Sequence, residues 1–319
     1  MTSDGGSGPR IPAIVGPTAV GKTSVAIRVA ETLGREIVSV DSRQIYRELD
    51  IGTAKPTVEE RAQVRHHAID VADPTERFSA ATFQRVADAA FADIRGSGSE
   101  PLLVGGAGLY LRAVLDGLFE GPPAQPDVRA RLRREAERDG NEALHLRLAA
   151  VDPAAAHRIH RNDLLRLVRA LEVYEVTGQP ISDLQTQWEN DATRNDATIV
   201  GLRRPRETLN RRANARIRSM MAAGFLDEVR GLRERYERGA PAFNGFGYTE
   251  LWDHLEGVHT EEKALELLRR NTHRYAKRQL TWFRSDQRVR WVDIADDADT
   301  DDIATAVVGL LTVDPDSEA

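Results

Sequence analysis

Apolar positions recur along this chain in two rhythms. Ile11-Pro-Ala-Ile-Val15 is a short apolar run closed by Gly16, and Thr23 to Leu33 then sets Val25, Ala26, Val29, Ala30 and Leu33 at helical spacing until Gly34 stops it. The pattern predicts strand, glycine loop, helix. Glu36 to Val40 and Pro101 to Val104 are two further strands, bracketing a helix that starts near Ser79 with Phe83, Val86, Ala90 and Ile94 on one face. Strands alternating with helices imply a parallel sheet covered by helices on both sides, an α/β fold.

From about Gly121 to Asp196 the strand rhythm is absent. Helical spacing runs through Val128 to Arg138, Glu142 to Ala150 and Asp163 to Val176, which predicts an all-helical insertion domain over 121–196. Thr198 to Leu202 is a returning strand, Leu209 to Arg238 a helix, and Val289 to Ile294 a last strand. The core is therefore 11–120 and 197–312, flanked by a Gly- and Ser-rich disordered tail, 1–10, and an acidic tail, 313–319.

Composition narrows the setting. With 41 % hydrophobic and 29 % charged residues the 319-residue chain can bury a real core. The lack of cysteine excludes disulfides and thiolate metal sites and permits a reducing compartment. Its longest apolar runs fall far short of the roughly 18 residues that a membrane helix needs, and the N-terminus lacks the apolar stretch of a signal peptide. The expectation is a cytoplasmic protein with no membrane partner.

The net charge of −6 argues against a nucleic-acid partner only until it is mapped. Nine acidic residues and no Lys or Arg lie between Asp293 and Ala319, so residues 1–292 carry 44 basic against 41 acidic groups. Arg203 to Arg218 holds seven Arg against Glu207, and Arg269 to Arg290 holds eight Lys or Arg against Asp286. Such clusters suit phosphate backbones, although solvated helix faces look the same by charge alone.

The chemistry begins at Gly16-Pro17-Thr18-Ala19-Val20-Gly21-Lys22-Thr23, a match to G-x-x-x-x-G-K-[ST]. In that motif backbone amides wrap a diphosphate, Lys22 adds a mobile cation, and the Thr23 hydroxyl ligates Mg2+. The helix that follows adds its positive N-terminal end. The motif recognises phosphates, not bases, so the owner of the diphosphate stays open. Asp41 stands at the end of the second strand, where ligands of parallel sheets collect. It has three readings: a carboxylate that holds magnesium indirectly, as in a nucleotide hydrolase, a base taking a proton from a bound nucleophile, or a helix cap. Gly105-Gly106-Ala107-Gly108 after the third strand permits close backbone approach, as ordinary turns also do.

Seven ordered segments together resemble one family, the tRNA dimethylallyltransferases, over nearly the whole chain. They are the loop Gly16 to Thr23, Asp41-Ser-Arg-Gln-Ile-Tyr-Arg-Glu-Leu-Asp-Ile-Gly-Thr-Ala-Lys-Pro56, His66-His-Ala-Ile-Asp70, Phe78-Ser-Ala-Ala-Thr-Phe83, Asn162-Asp163 with Arg166 to Glu172, Gly247-Tyr248, and Lys277-Arg-Gln-Leu-Thr-Trp-Phe-Arg284.

The resemblance implies transfer of a dimethylallyl group from dimethylallyl diphosphate to N6 of the adenosine 3′ of the anticodon, with release of diphosphate. It implies that residues 16–23 hold the prenyl diphosphate with Mg2+ on Thr23, that Asp41 accepts a hydrogen bond or proton from the amine, and that Arg212 joins Lys22 and Thr23 on the leaving group. A carboxylate that relieves an exocyclic amine of its proton makes a poor nucleophile competent, and donors aimed at the leaving diphosphate stabilise the transition state most.

By the same resemblance the tRNA anticodon stem-loop meets Asp41, Ser42, Arg43, Gln44, Ala107, Arg129, Arg161, Arg166, Arg169, Gly247, Tyr248, Lys277, Arg278, Gln279, Trp282 and Arg284. The insertion clamps the stem while the core receives a base taken out of its stack. The family default is a monomer. Ala107 departs from the family pattern, which carries Thr or Ser there, so any hydroxyl contribution at that position is lost. His66 and His67, adjacent and without a third ligand at zinc-like spacing, are structural or shape the substrate site. Tyr248 and Trp282 stack on bases or fill the core. The rival functions are a P-loop small-molecule kinase, an RNA-dependent NTPase, and a relative that prenylates free adenine nucleotides.

Overall fold

The computed structural model describes residues 10–118, 121–185, 194–245 and 247–313. The chain runs β1 (Ile11–Val15), α1 (Lys22–Leu33), β2 (Arg35–Val40), α2 (Val58–Gln63), β3 (His66–His67), α3 (Ala80–Gly96), β4 (Glu100–Gly105) and α4 (Gly108–Leu115). Next come α5 (Pro126–Asp139), α6 (Asn141–Val151), α7 (Pro153–Arg158), α8 (Leu164–Thr177) and α9 (Ile181–Leu184). It closes with β5 (Ala197–Arg203), α10 (Arg206–Ala222), α11 (Phe225–Arg233), α12 (Tyr248–Leu255), α13 (Glu261–Arg284), β6 (Val289–Asp293) and α14 (Thr300–Thr312).

The six strands form one parallel sheet in the order β3-β2-β4-β1-β5-β6, with Ala13 of β1 in register with Leu103 and Ile199. Because side chains alternate across a strand, the apolar run of β1 feeds two cores. Ala13 and Val15 pack with Phe83, Phe91 and Phe283 on one face, while Ile14 packs with Val25, Val29 and Val307 on the other. Burial on both faces is why these strands read as continuous apolar runs.

Two departures from the sequence reading have local causes. The single helix expected over Leu209 to Arg238 is α10 and α11, broken at Gly224, whose φ of 96° is a left-handed conformation that glycine adopts at little cost. The histidine pair forms the short edge strand β3, where His67 Nε2 meets Glu36 Oε2 at 2.6 Å and His66 Nδ1 meets the Val64 carbonyl at 2.7 Å.

The chain divides into two compact units, residues 116–194 and the remainder. The second boundary falls before 196 because Asn195 donates its backbone N–H to Leu115 O and Ile11 donates to Asp196 O. The helical unit, α5 to α9, has its own core of Leu132, Leu144, Leu148, Leu167 and Leu171. Of the expected tails, 1–9 and 314–319 lie outside the described residues; Arg10 is anchored by Asp196 at 2.7 Å. The acidic residues ahead of the C-terminus are engaged as well. Asp293 pairs with Arg203, Asp296 with Arg211 and Asp301 with Arg28, while Asp299 caps α14. Among the described residues no helix is long and apolar enough to cross a membrane.

Candidate active site

The loop Gly16 to Thr23 links β1 to α1 at the C-terminal edge of the sheet. Gly21, with φ 109°, turns the chain into α1, whose first turn has no side-chain cap, leaving N–H groups for an anion. Ala19 holds φ 65°, a conformation sparsely populated outside glycine that marks a strained turn. Partners far away in sequence fix the loop. Gln279 of α13 accepts from Thr18 N–H at 2.8 Å and donates to Gly106 O at 3.0 Å, and Arg204 donates to Val20 O at 3.1 Å.

Lys22 folds back, its Nζ 2.9 Å from both Gly16 O and Pro17 O. Burial pulls its pKa down to about 8, against Asp41, which raises it, while Arg216 lowers it further. Arg212 lies along the loop and donates to Ala19 O at 3.0 Å. The Thr23 side chain has no hydrogen-bond partner among the described residues, and no group of three or more His, Cys, Asp or Glu there could hold a metal alone. The donor set therefore fits Mg2+ that takes one hydroxyl from the protein and most of its oxygens from diphosphate and water.

Asp41 follows β2. Its Oδ1 accepts from the N–H groups of Arg43 at 2.7 Å and Gln44 at 3.3 Å, so one oxygen caps a turn where the capping reading expected a helix. Its Oδ2 makes no hydrogen bond among the described residues. Two cavities meet at this carboxylate. A polar cleft of about 440 Å3 is lined by Gly21, Lys22, Thr23, Arg212 and Arg216 as well as Asp41. A more apolar recess of about 150 Å3 is lined by Asp41 and Arg216 together with Ile217, Met220, Phe225 and Tyr275. Burial raises the Tyr275 hydroxyl to about 12, so it stays protonated beside Asp41.

The wall of the recess rests on groups that the sequence reading missed. Glu228 accepts from the N–H groups of Asp50, Ile51 and Gly52 at 2.7 to 3.1 Å and from the Tyr248 hydroxyl at 2.6 Å. A Cβ on Gly52 would lie 2.1 Å from Phe225, so only glycine lets this loop close on α11. Lys55, buried, ties Tyr46 O to Asp50 and Asp70, each contact 2.6 to 2.8 Å. In sequence, Glu228 carried no signal beyond helix charge.

The residues expected to touch tRNA divide by their partners. Arg161 and Arg166 remain exposed, each with one acidic neighbour, Glu142 and Asp163. Arg129 and Arg169 are not free cations. Both bind the fully buried Glu172, Arg129 through two bonds of 2.7 and 2.9 Å and Arg169 at 2.6 Å, because a buried carboxylate demands compensation. Gln279 is buried as the loop brace described above. Tyr248 and Gly247 are buried, and Tyr248 packs edge-on against Phe225 at 5.1 Å, which is the core role. Trp282 is half-buried and lies so close to Gly108 that a Cβ there would meet its ring at 2.2 Å.

Arg43 grips the carbonyls of Pro241, Ala242 and Asn244, and Gln44 those of Thr53 and Ala54. Ser42 lines the Asp41 recess, and Ala107 is half-buried with its N–H on Val40 O at 3.1 Å. Lys277, Arg278 and Arg284 are exposed on α13.

A glycine phosphate loop after the first strand of a parallel sheet, facing a carboxylate at the end of the next strand, defines a P-loop α/β protein. Known proteins narrow this. The family model described as IPP transferase matches residues 44–286, and that described as Isopentenyl transferase matches 9–73. The tRNA dimethylallyltransferase of Symbiobacterium thermophilum is 51 % identical over 282 residues, 88 % of each chain. The solved tRNA isopentenylpyrophosphate transferase of Bacillus halodurans is 40 % identical, covers 95 % of this chain and 97 % of its own, and superposes with a TM-score of 0.68. A eukaryotic dimethylallyltransferase solved while acting on tRNA is 25 % identical over 90 % of this chain and 74 % of its own, with a TM-score of 0.71. The chain belongs to the tRNA dimethylallyltransferase family.

Proposed function

We propose that this enzyme transfers the dimethylallyl group of dimethylallyl diphosphate to the N6 amine of the adenosine 3′ of the anticodon in tRNA, and that it works as a monomer in the cytoplasm. The observation that carries the reading is the position of Asp41 on the wall common to a cationic cleft and an apolar recess. A diphosphate on one side and a base on the other would meet at that carboxylate.

In this scheme the loop amides of residues 16–23, Lys22 and Arg212 bind the diphosphate, Lys22 exchanging its loop carbonyls for the ligand. Their donors stabilise the charge that grows on the leaving oxygen, a contribution of about 10²–10³ in rate for a single well-placed donor. The carbon–oxygen bond to diphosphate breaks as the bond from N6 to the same carbon forms, and the amine proton passes to Asp41 Oδ2. Its Oδ1, fixed by the Arg43 N–H, sets the carboxylate's orientation. Mg2+ held through Thr23, when bound, neutralises part of the diphosphate charge.

Kinship with an enzyme solved acting on tRNA, and with relatives named tRNA dimethylallyltransferase, favours a tRNA acceptor over a kinase or NTPase reading. The test is transfer of radiolabel from dimethylallyl diphosphate, with Mg2+, to an unmodified anticodon stem-loop bearing that adenosine, with AMP as a control acceptor. Label in RNA is the expected result. Label in AMP alone would move the enzyme to the nucleotide-prenylating relatives, and ATP consumption without transfer would sink the prenyl reading.

A further inference from the structure

A second cleft, of about 760 Å3, opens on the opposite flank of α10 and α13 from the Asp41 recess. The helix rotation explains the split. On α10, Leu209 and Asn210 line this cleft while Ala213, Arg216, Ile217 and Met220 line the recess; on α13, Arg274, Lys277, Leu280 and Arg284 face it while Leu268, Thr272 and Tyr275 face the recess. Its floor is closed by the ends of β5 and β6, where Arg203 O accepts from Ile294 N–H at 2.9 Å. It lies, like the phosphate loop, at the C-terminal edge of the parallel sheet, where ligands of such folds collect.

Its charge is unusual for this molecule. Six Arg or Lys side chains line it against one carboxylate, Asp293, which Arg203 already holds at 2.5 Å. Arg206, Arg274, Lys277 and Arg284 make no ion pair among the described residues, in a chain where most arginines have an acidic or carbonyl partner. Beside these cations the lining includes the apolar residues Pro205, Leu209, Ala276, Leu280 and Ile294. Helix α10 also begins here, at Arg206, with no side-chain cap on its first-turn N–H groups. Asn210 adds an amide that has no partner among the described residues and can pair with a base edge.

A lining that combines apolar side chains, unpaired cations and one amide reader matches a flat heterocycle joined to a phosphate. We infer that this cleft is a second nucleotide site, separate from the phosphate loop, taking a nucleoside monophosphate with its base on Leu209 and Leu280 and its phosphate on Arg206 and Arg274. The site takes this chemistry as a free mononucleotide, because a nucleotide of the RNA strand against Lys277 and Arg284 is the contact that the family resemblance already implies. The inference stands whether or not the prenyl reading does, since it needs neither Asp41 nor dimethylallyl diphosphate.

The test is equilibrium dialysis of the full chain with radiolabelled 5′-CMP and 5′-GMP, bases that are not the proposed acceptor, with saturating pyrophosphate and Mg2+ to fill the phosphate loop. One saturable site is expected, weakened at least tenfold by Arg206→Gln with Arg274→Gln and by Leu280→Asp alone. Unchanged melting temperatures establish that the variants are folded, and the single substitutions Arg274→Gln and Lys277→Gln replace any that is not. If an anticodon stem-loop displaces the nucleotide, and the double variant lowers the salt dependence of RNA binding by about two phosphate contacts, the cleft is part of the tRNA surface and the assignment is overturned. If nucleotide and RNA bind together, the ligand is a free mononucleotide. Absence of binding at saturating pyrophosphate, or binding that the variants leave intact, would overturn the assignment.

Discussion

Two regions of this molecule, the buried cluster of the helical unit and the binding clefts of the core, use arginine in opposite ways. In the helical unit Arg129 and Arg169 converge on the buried Glu172, and Arg147 bridges Glu135 and Glu175. In the core Arg212 rests on Ala19 O, Arg216 on Thr53 O at 3.4 Å, and Arg206, Arg274, Lys277 and Arg284 of the second cleft make no ion pair among the described residues. A guanidinium clasped by a buried carboxylate is committed to the fold, since releasing it would strand a charge. One resting on a carbonyl can exchange that contact for an anion at small cost. The lesson is that an arginine's partner, more than its exposure, separates scaffold from ligand-binding cation.

The carboxylates give the largest contrast. Asp41→Asn keeps the oxygen that the Arg43 N–H needs but removes the proton acceptor, so kcat should fall by about 10²–10⁴ with little change in diphosphate affinity, in single-turnover transfer assays. Glu172→Ala should instead destabilise the helical unit by about 3–5 kcal/mol, seen in the urea midpoint. A change below about 1 kcal/mol would mean that the Arg129–Glu172–Arg169 cluster is not holding the fold. Arg212→Gln should lower kcat by about 10²–10³ while leaving the urea midpoint unchanged; lost stability would place it with the scaffold arginines.

Lys22 sharpens the contrast with pH. Its folded pKa of about 8 lies below the ordinary 10.5 because burial disfavours the ammonium. Above pH 8 the cation that meets diphosphate is lost, and KM for dimethylallyl diphosphate should rise by up to about tenfold per pH unit. Stability moves the other way. Between pH 8 and 10.5 the unfolded chain binds more protons at this lysine, so the ligand-free protein gains stability from it as pH rises. Smallest is Arg161→Ala with Arg166→Ala, which should weaken stem-loop binding a few-fold and flatten its salt dependence by about one phosphate contact each. Arg129→Ala should alter stability rather than the salt slope.

What was legible in the sequence was what depends on neighbours in the chain. Five of the six strands, the phosphate loop, Asp41 after β2 and the helical character of the insertion all follow from local periodicity and spacing. What was hidden depends on partners far along it. Gln279 looks like part of an exposed basic motif, yet its partner Thr18 is 261 residues away. Glu228 is one of two adjacent acids in α11 until the fold brings it against the N–H groups of Asp50 to Gly52. Arg129 and Arg169 carry the same charge pattern as a phosphate contact, and only the burial of Glu172 distinguishes them.

The register of β1 has a consequence for synthesis. Its partner on one side, β4, ends at Gly105, but its partner on the other, β5, begins only at Ala197. Roughly 90 residues, nearly all of them the helical unit, emerge between the two, a delay of about 5–20 s at ordinary translation rates. For that interval the strand that carries the phosphate loop has an open edge, a template for pairing with another nascent chain. Pauses in translation within residues 116–194 would lengthen the exposure, so the codons of the insertion govern the yield of a site to which they contribute no residue.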